Sequence, residues 1–338
     1  MKNKLHLLAT IIASLLLVQG CMKESIEFDT DGPVRTVLYT APPSALPATI
    51  LSVSRVVDVA HNFGTFGDIR YDPDSLPAFV GPPEDWVKDA GLTVRYETSH
   101  DRKVCIIEPR AGVSKYIFFM HGGGYILNTD EKQYNFFKQA IEELGYGLIV
   151  PDYPLCAAYV YTDAYDMLHD VYLDWVARAG ADNIIFFGDS AGGALVIGMA
   201  QYLRDKGEPL PRAVIGFSPW LDATLTNEDI HLVDDVIMPL AQLQNCGLLW
   251  AGDDNPRTYR VSPIYGDFQG LPPLHIFIGG RDMFYADVAK LRERMKKEKL
   301  PLTVYEYPHM FHVWADLLPQ MPESKDAIKH IVKILKEN

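Results

Sequence analysis

The stretch Ile184-Ile-Phe-Phe-Gly-Asp-Ser-Ala-Gly-Gly193 decides the fold that this sequence predicts. An apolar run typical of a buried strand ends in a G-x-S-x-G turn, and an apolar, small-residue segment typical of a helix follows. The turn is so tight that the neighbours of the serine must lack bulk, and Gly188 and Gly192 meet that need. We therefore expect Ser190 to be a nucleophile, with the backbone N–H of Ala191 facing the carbonyl that it attacks. The alternative is an ordinary helix-capping serine in a Gly-rich turn.

Short apolar runs alternate with amphipathic segments on both sides of this stretch. This alternation predicts an α/β fold with a mostly parallel central sheet flanked by helices. The predicted strands are Leu92–Tyr96, Val104–Glu108, Tyr116–Met120, Gly147–Pro151, Ile184–Gly188, Ala213–Ser218, Leu274–Gly279 and Thr303–Tyr307. The predicted helices are Leu51–Phe66, Pro83–Ala90, Glu131–Leu144, Ala164–Ala179, Ala191–Lys206, Ala286–Glu298 and Glu323–Lys336.

The first fifty residues have a different pattern. Lys2 and Lys4 precede the apolar stretch Leu5–Val18, which is too short for a comfortable membrane span and resembles a signal peptide. Cys21 follows in a Val-Gln-Gly-Cys segment that resembles a bacterial lipobox, so we expect residues 1–20 to be a lipoprotein signal peptide and Cys21 to be lipidated. The alternatives to a lipoprotein signal peptide are a plain signal peptide with a chance cysteine and a buried core helix.

The rest of the chain is expected to be one catalytic domain. Breakers such as Asp29-Thr-Asp-Gly-Pro33 predict a tether over residues 21–50. The α/β domain is expected over residues 51–338, with an irregular lid at about 51–90 and 222–260. In a lipid-anchored chain this domain would lie on the periplasmic or surface side of the bacterial cell envelope.

Composition excludes several classes of function. The 338 residues carry a formal net charge of −13 and no basic run with interleaved aromatics, which argues against nucleic-acid binding. After Cys21 three cysteines remain, Cys105, Cys156 and Cys246, and their spacing matches no metal signature. We expect them to be small packing residues, with one disulfide at most. No metal or organic cofactor is expected, and the oligomeric state cannot be predicted.

A second glycine-rich motif ends an earlier predicted strand. The sequence Tyr116-Ile-Phe-Phe-Met-His-Gly-Gly-Gly-Tyr125 places three glycines directly after an apolar run. Consecutive glycines let backbone N–H groups approach a ligand with no side chain in the way, as an oxyanion hole requires. A flexible loop with a stray histidine is the alternative, but the downstream G-D-S-A-G-G makes it improbable.

Together the two motifs resemble the hormone-sensitive-lipase-like branch of the α/β hydrolases, a bacterial family of carboxylesterases with an H-G-G-G motif. The resemblance runs from about residue 85 to 335. It implies that Gly122 and Gly123 donate N–H groups to the oxyanion beside Ala191. It also implies that His121 pins the loop and is not a catalytic base.

Two segments depart from the family pattern. Tyr125 matches the aromatic residue that follows the glycines, but Ile126-Leu-Asn-Thr129 replaces the usual Gly-Ser pair that lies beside the acyl group. The segment Asp152-Tyr-Pro-Leu155 resembles the family's D-Y-R-L-A-P but lacks the arginine, the second proline and a following glutamate. Tyr125 and Asp189 are candidates for the lining of the substrate pocket. Asp189 is also expected to point away from the elbow as a bracing hydrogen-bond acceptor.

A serine nucleophile needs a base, and in this fold the chain order is serine, acid, histidine. The sequence Tyr307-Pro-His-Met-Phe-His-Val-Trp314 follows the last predicted strand and offers His309 and His312. In the family the catalytic histidine precedes an aromatic residue by two positions, so the register favours His312, followed by Trp314. His309 takes the place of a glycine and is the alternative.

The acid is expected where ligands gather, at the carboxyl ends of the strands. Asp282 comes just after the predicted strand Leu274–Gly279, 30 residues before His312. Asp287 is the alternative, but it falls on the next helix, where we expect it to be solvated.

These residues predict a serine hydrolase that cleaves carboxylic esters through an acyl-enzyme on Ser190. The expected substrates are esters of short acyl chains, among them acetylated glycans. A peptidase or amidase with the same triad, or a non-catalytic ligand-binding relative, are the alternatives.

Overall fold

The computed structural model describes residues 25–28, 32–43, 78–109, 112–156, 158–235 and 237–338. Within them one ten-stranded sheet runs through the molecule. Its strands are β1 Ser25–Phe28, β2 Val34–Tyr39, β3 Leu92–Ser99, β4 Arg102–Pro109, β5 Tyr116–Met120, β6 Gly147–Pro151, β7 Ile184–Asp189, β8 Ala213–Phe217, β9 Leu274–Gly279 and β10 Leu302–Tyr307. The helices are α1 Glu84–Asp89, α2 Lys138–Leu144, α3 Tyr161–Ala179, α4 Ser190–Lys206, α5 Leu240–Ala251, α6 Tyr285–Glu298, α7 Trp314–Leu317 and α8 Pro322–Glu337.

The strand order is β1-β2-β10-β9-β8-β7-β5-β6-β4-β3. Every pairing from β6 across to β2 is parallel, while β1, β4 and β3 pair antiparallel to their neighbours. The predicted mostly parallel α/β sheet is thus confirmed. Because β5, β7, β9 and β10 run in the same direction, the loops that follow them all emerge at one edge of the sheet.

Helices cover the sheet on both faces. Alternate residues of β7 point to opposite sides, so that Ile184 and Phe186 join one apolar cluster with α3, α4 and α6. Ile185 and Phe187 join another with α2 and α8. A strand covered on both faces needs a continuous apolar run, which explains why the central strands could be predicted from the sequence. Among the described residues no helix is both long and apolar enough to cross a membrane.

The predicted tether over residues 21–50 is wrong where the structure describes it. Residues Val34–Tyr39 form β2, which pairs in parallel with β10, and Ser25–Phe28 add β1 at the sheet edge. Val34, Val37 and Tyr39 are buried against the core. The breakers Gly32 and Pro33 therefore directly precede a strand of the central sheet.

The predicted lid is only partly described. Residues 51–77, including the predicted helix Leu51–Phe66, lie outside the described residues. Helix α1 belongs to the body of the domain, because Trp86 is buried and its indole N–H donates to Glu142 of α2 at 2.7 Å. The segment 222–260 contains α5, whose buried face includes Leu243 and Trp250.

Candidate active site

The turn between β7 and α4 holds Ser190 in a strained conformation. Ser190 is the first residue of α4, its φ is 52°, and its side chain is almost buried. A Cβ atom on Gly188 would lie 2.2 Å from the Gly192 carbonyl oxygen, and one on Gly192 would lie 1.9 Å from the Met120 carbonyl oxygen. The two glycines therefore allow α4 to approach β5 and β7 closely, with Ser190 at the carboxyl edge of the sheet.

The loops after β9 and β10 bring an acid and a histidine to this serine. The Nε2 atom of His312 lies 2.9 Å from the Ser190 Oγ atom, and its Nδ1 atom lies 2.9 Å from Oδ2 of Asp282. Asp282 is fully buried, and its Oδ1 atom accepts the backbone N–H of Phe284 at 3.0 Å. Ser190, His312 and Asp282 thus form one continuous hydrogen-bonded chain.

The two loops are packed tightly enough to fix this geometry. The Arg281 amide donates to the Met310 carbonyl at 2.9 Å, and a Cβ on Gly279 would lie 2.3 Å from the same oxygen. The ring of Phe284 lies edge-on to His312 with centroids 5.1 Å apart. His312 has little freedom to leave the line between Asp282 and Ser190.

The electrostatic surroundings favour a basic imidazole. Burial alone lowers the pKa of His312, but the carboxylate of Asp282 counters it, with smaller contributions from Asp235 and Asp189. The net result is a pKa above the ordinary value for histidine. A base of this kind accepts the serine proton more readily than an isolated imidazole would.

The alternative residues lie elsewhere. His309 is exposed on the same loop, whereas His312 is buried beside Ser190. Asp287 lies on α6, where Asn227 donates to its Oδ1 atom at 2.8 Å. We expected Asp287 to be solvated, and this is wrong, because the side chain is fully buried and burial raises its pKa to about 6. The helix turns Asp287 toward the segment after β8, so that solvent does not reach it.

The glycine loop after β5 corrects one predicted oxyanion donor. The amide of Gly122 donates to Oδ1 of Asp189 at 2.9 Å, so it cannot also point at a substrate. A Cβ on Gly122 would lie 2.3 Å from Oδ2 of Asp189, which explains why a glycine is needed there. Gly123 and Gly124 have positive φ angles of 120° and 63°, and among the described residues nothing accepts a hydrogen bond from their amides. Within this loop the amide of Gly122 is therefore occupied, whereas those of Gly123 and Gly124 are not occupied by any described residue.

Asp189 is a buried hydrogen-bond acceptor that supports the site and does not line a pocket. Its carboxylate also accepts the side-chain amide of Gln133 at 3.1 Å, and it is buried. Burial raises its pKa to about 6, against the effect of these hydrogen bonds. The prediction that Asp189 lines the substrate pocket is therefore wrong. Its hydrogen bond from Gly122 joins the elbow to the glycine loop.

His121 lies beneath the glycine loop as a neutral brace. It is fully buried, its Nδ1 atom lies 2.8 Å from the Gly122 carbonyl oxygen, and its ring stacks on Tyr153 with centroids 4.3 Å apart. The Tyr153 hydroxyl donates to the His121 carbonyl at 2.7 Å. Burial lowers the pKa of His121 to about 4, so it carries no charge at neutral pH.

Arg102 of β4 binds the segment that lacks the family's arginine. Its guanidinium donates to the Asp152 carboxylate at 2.7 Å, and also to the Asp152 carbonyl. Asn128 donates to the same carboxylate at 2.8 Å. Asn128, which stands in the segment that replaces the usual Gly-Ser pair, thereby ties the glycine loop to the loop after β6.

An aromatic stack fills the space behind the glycine loop. Tyr125 is buried between Trp250 of α5, with ring centroids 4.2 Å apart, and Trp220, with centroids 5.4 Å apart. Trp220 in turn stacks on Phe284 at 5.8 Å. Tyr125 therefore belongs to a rigid wall, and the stack links it to the loop that carries Asp282.

Several residues of the site could not be predicted from the sequence. Gln133, Arg102, Trp220, Trp250 and Asp235 belong to no motif, and each meets the site through a contact between segments far apart in the chain. For Asp235 the sequence offered one signal, the adjacent pair Asp234-Asp235 inside the segment predicted as a lid.

Comparisons with known proteins agree with this fold. The family description of the α/β-hydrolase fold matches residues 117–316, more than half of the chain. An acetyl-hydrolase from Streptomyces hygroscopicus is 29% identical over 66% of this chain and 76% of its own length. An esterase from Acinetobacter venetianus is 28% identical over 67% and 76% of the two chains.

Solved structures have the same architecture. A mutant of the esterase E40 superposes with a TM-score of 0.68 and 26% identity, covering 76% of this chain and 86% of that one. An esterase from the bacterial hormone-sensitive lipase family superposes with a TM-score of 0.70, at 24% identity over 88% and 99% of the two chains, which supports the fold. The protein is a carboxylesterase-type hydrolase, and the chain belongs to the hormone-sensitive-lipase-like family of α/β hydrolases.

Proposed function

We propose that the protein hydrolyses short-chain carboxylic esters through an acyl-enzyme intermediate on Ser190. The observation that carries this proposal is the unbroken chain from Ser190 Oγ through His312 to Asp282, with both hydrogen bonds at 2.9 Å. In the first step Oγ attacks the ester carbonyl carbon while His312 takes the hydroxyl proton. The proton then passes to the leaving alcohol. In the second step His312 takes a proton from water while the hydroxide attacks the acyl carbon. The bond between that carbon and Ser190 Oγ then breaks, His312 returns the proton to Oγ, and the carboxylic acid is released.

The negative charge of each tetrahedral intermediate needs hydrogen-bond donors. We assign this role to the amides of Gly123, Gly124 and Ala191. The first two follow β5, and Ala191 lies in the first turn of α4, whose N-terminus adds positive potential. Asp189 holds the preceding amide of Gly122, and so fixes the loop before substrate arrives. Donors placed in advance stabilise the developing charge by about 3 kcal/mol each in comparable sites.

The acyl group of the substrate is expected to be short. The rings of Tyr125, Trp250 and Trp220 are buried in one stack beside the glycine loop, and in this proposal the stack limits the space for the acyl chain. The acetyl-hydrolase among the relatives acts on an acetyl group, as its name says. Acetate esters are therefore the first substrates to test, and acetylated glycans are the natural polymer class in an envelope.

The test uses purified protein and its Ser190→Ala variant. A serine-directed fluorophosphonate should label the wild type and leave the variant unlabelled. Among p-nitrophenyl esters, kcat/KM should be highest for acetate or propionate and should fall steeply by octanoate. Acetate release from acetylated xylo-oligosaccharides tests the glycan substrate separately.

The outcomes separate the alternatives. Labelling without ester turnover, together with turnover of p-nitroanilides, would point to an amidase. Neither labelling nor turnover would point to a ligand-binding relative. Retention of most ester turnover by Ser190→Ala would disprove the acyl-enzyme mechanism.

We also propose that the protein is lipid-anchored in a bacterial envelope through Cys21. Residues 1–24 lie outside the described residues, so the proposal stands on the sequence alone: Lys2, Lys4, the apolar stretch Leu5–Val18 and the lipobox-like segment that ends at Cys21. An anchored esterase would act on material at the cell surface or in the periplasm.

A further inference from the structure

A second carboxylate binds the turn that carries Asp282. Asp235 lies between β8 and α5, in the segment predicted as a lid, and its Oδ2 atom accepts the backbone N–H of Met283 at 2.8 Å. Its Oδ1 atom accepts the N–H groups of Ile237 at 2.8 Å and Met238 at 3.0 Å. A side chain with three backbone donors is held firmly in place.

The two carboxylates share one turn. Asp282 accepts the amide of Phe284, and Asp235 accepts the amide of Met283 just before it. Beside them Arg281 forms an ion pair with the exposed side chain of Asp234. The segment after β8 thus contacts the acid loop twice, through Asp234 with Arg281 and through Asp235 with Met283, although the two segments are nearly fifty positions apart in the chain.

This arrangement puts an additional negative charge near the base. Burial and the charge of Asp282 raise the pKa of Asp235 to about 6, so Asp235 is ionised at neutral pH. An ionised Asp235 raises the pKa of His312, because nearby negative charge favours the imidazolium. Asp282 from the loop after β9 acts on both Asp235 and His312, and Asp189 from the elbow acts on His312. The remaining charges nearby, Arg281 and Asp234, form an ion pair with each other.

We infer that Asp235 is a positioning residue for the triad, which holds the Asp282 turn in register and strengthens His312 as a base. This inference rests on the proposed function, since it assigns His312 the role of general base. Asp235 does not touch the reacting atoms. It acts through the Met283 amide and through its charge, so the segment after β8 takes part in setting the acid–base properties of the site.

The test compares Asp235→Asn with Asp234→Asn. Asp235→Asn removes the charge next to the acid loop. Asp234→Asn makes the same substitution at the neighbouring, exposed aspartate. We expect the acid limb of kcat/KM against pH to move down by roughly 0.5 to 1 pH unit in Asp235→Asn, because a base without its nearby negative charge protonates at lower pH. Asp234→Asn should keep the wild-type profile.

A second readout does not depend on turnover. The downfield proton resonance of His312 Nδ1–H should titrate at lower pH in Asp235→Asn by a similar amount. Asp235→Glu keeps the charge but is one methylene too long for the Met283 amide. It should therefore retain the wild-type acid limb while kcat falls several-fold.

Three results would overturn the inference. The first is an Asp235→Asn variant whose acid limb and His312 resonance both titrate as in the wild type, even if the variant is less stable. Another is an equal shift in Asp234→Asn. If Asp235→Asn does not fold, Asp235→Glu decides, and an unchanged kcat there would show that the turn does not need Asp235. Failure of the proposed function is seen separately, as hydrolysis by Ser190→Ala.

Discussion

At the scale of single residues, Ser190 combines a reactive position with a strained backbone. Its φ of 52° lies in the left-handed region, which costs a residue with a Cβ roughly 1 kcal/mol. The fold maintains this strain because α4 packs against β5 and β7 through Gly188 and Gly192, with no room to relax. Strain of this kind is typical of catalytic positions.

We therefore predict that Ser190→Gly is more stable than Ser190→Ala. Both variants lack the hydroxyl, but glycine adopts the positive φ without a Cβ clash, so its free energy of unfolding should be higher by about 1 kcal/mol. Denaturant unfolding of the two variants at one pH measures the difference. Equal midpoints and slopes would mean that the elbow stores no strain.

The two histidines after β10 provide a second test at this scale. His312→Ala should lower turnover of an acetyl ester at pH 8 by several orders of magnitude, as Ser190→Ala does, since members of a triad act as a unit. His309 is exposed and three residues away, so His309→Ala should cost about tenfold at most, through loop positioning. An inactive His309→Ala beside an active His312→Ala would reverse the assignment.

The sequence allowed these residues to be proposed because each lies in a motif with a strict backbone requirement. The oxyanion loop shows where such reasoning fails. The sequence alone does not distinguish three consecutive glycines. Only the hydrogen bond from the Gly122 amide to Asp189 shows that this amide braces the loop and that the next two do not. Asp235 could not be found at all, since its role depends on a contact with Met283.

At the scale of elements, the central strands agree with prediction and the segment between β8 and β9 does not. Strands β5, β6 and β9 have the predicted bounds, because both faces of each are covered and the whole run must be apolar. Helix α5 was missed inside the predicted lid. Its leucines include Leu248 and Leu249, which are exposed, so no clear amphipathic period marks the helix. It nevertheless supplies Trp250 to the wall behind Tyr125.

Helix α6 carries a buried acid whose cost can be measured. Asp287 is fully buried, and its Oδ2 atom has no hydrogen-bond partner among the described residues. Its pKa is about 6 in the folded chain, above the value of 3.8 for an ordinary aspartate. An acid with a raised folded-state pKa stabilises the fold below its unfolded pKa, and that contribution is lost as pH rises through the folded pKa.

We predict that Asp287→Asn is more stable than the wild type at pH 8, by about 1 to 3 kcal/mol, because the variant carries no buried charge. The difference should shrink steadily between pH 7 and pH 4, where the wild-type aspartate takes up its proton. Thermal melts across this range measure it. Asp229→Asn, at an exposed position of the segment after β8, is the control and should show no such trend. A constant difference between variant and wild type would contradict the prediction.

At the scale of the whole molecule, the sheet extends to the N-terminal strands. β2 pairs with β10, and β10 leads into the loop that carries His312. The breakers around residue 31 indicated a tether, although in the chain they lie between two short strands. The parallel partner of β2 is β10, which is more than 260 residues away in the sequence, so no local pattern shows this pairing.

The position of β1 determines how a lipid anchor would work. Only three residues separate Cys21 from β1, so at about 3.5 Å per residue no more than about 14 Å of chain joins a lipidated Cys21 to Ser25. A tether of thirty residues would let the domain move far from the bilayer, whereas this short link would keep the β1 edge of the sheet next to it. The substrate would then have to be close to the membrane surface as well.

We predict that Cys21→Ala moves the protein from the membrane fraction to the soluble fraction. Acyl chains contribute about 0.8 kcal/mol per buried methylene, and in this proposal a single residue carries them. Hydrolysis of a soluble acetyl ester by Cys21→Ala should equal that of the wild type, because Cys21 lies outside the triad. Cys105→Ala, which removes a buried cysteine of β4, is the matched control and should stay with membranes. Cys21→Ala protein that remains on membranes at high salt would show that something other than a lipid at Cys21 holds it there.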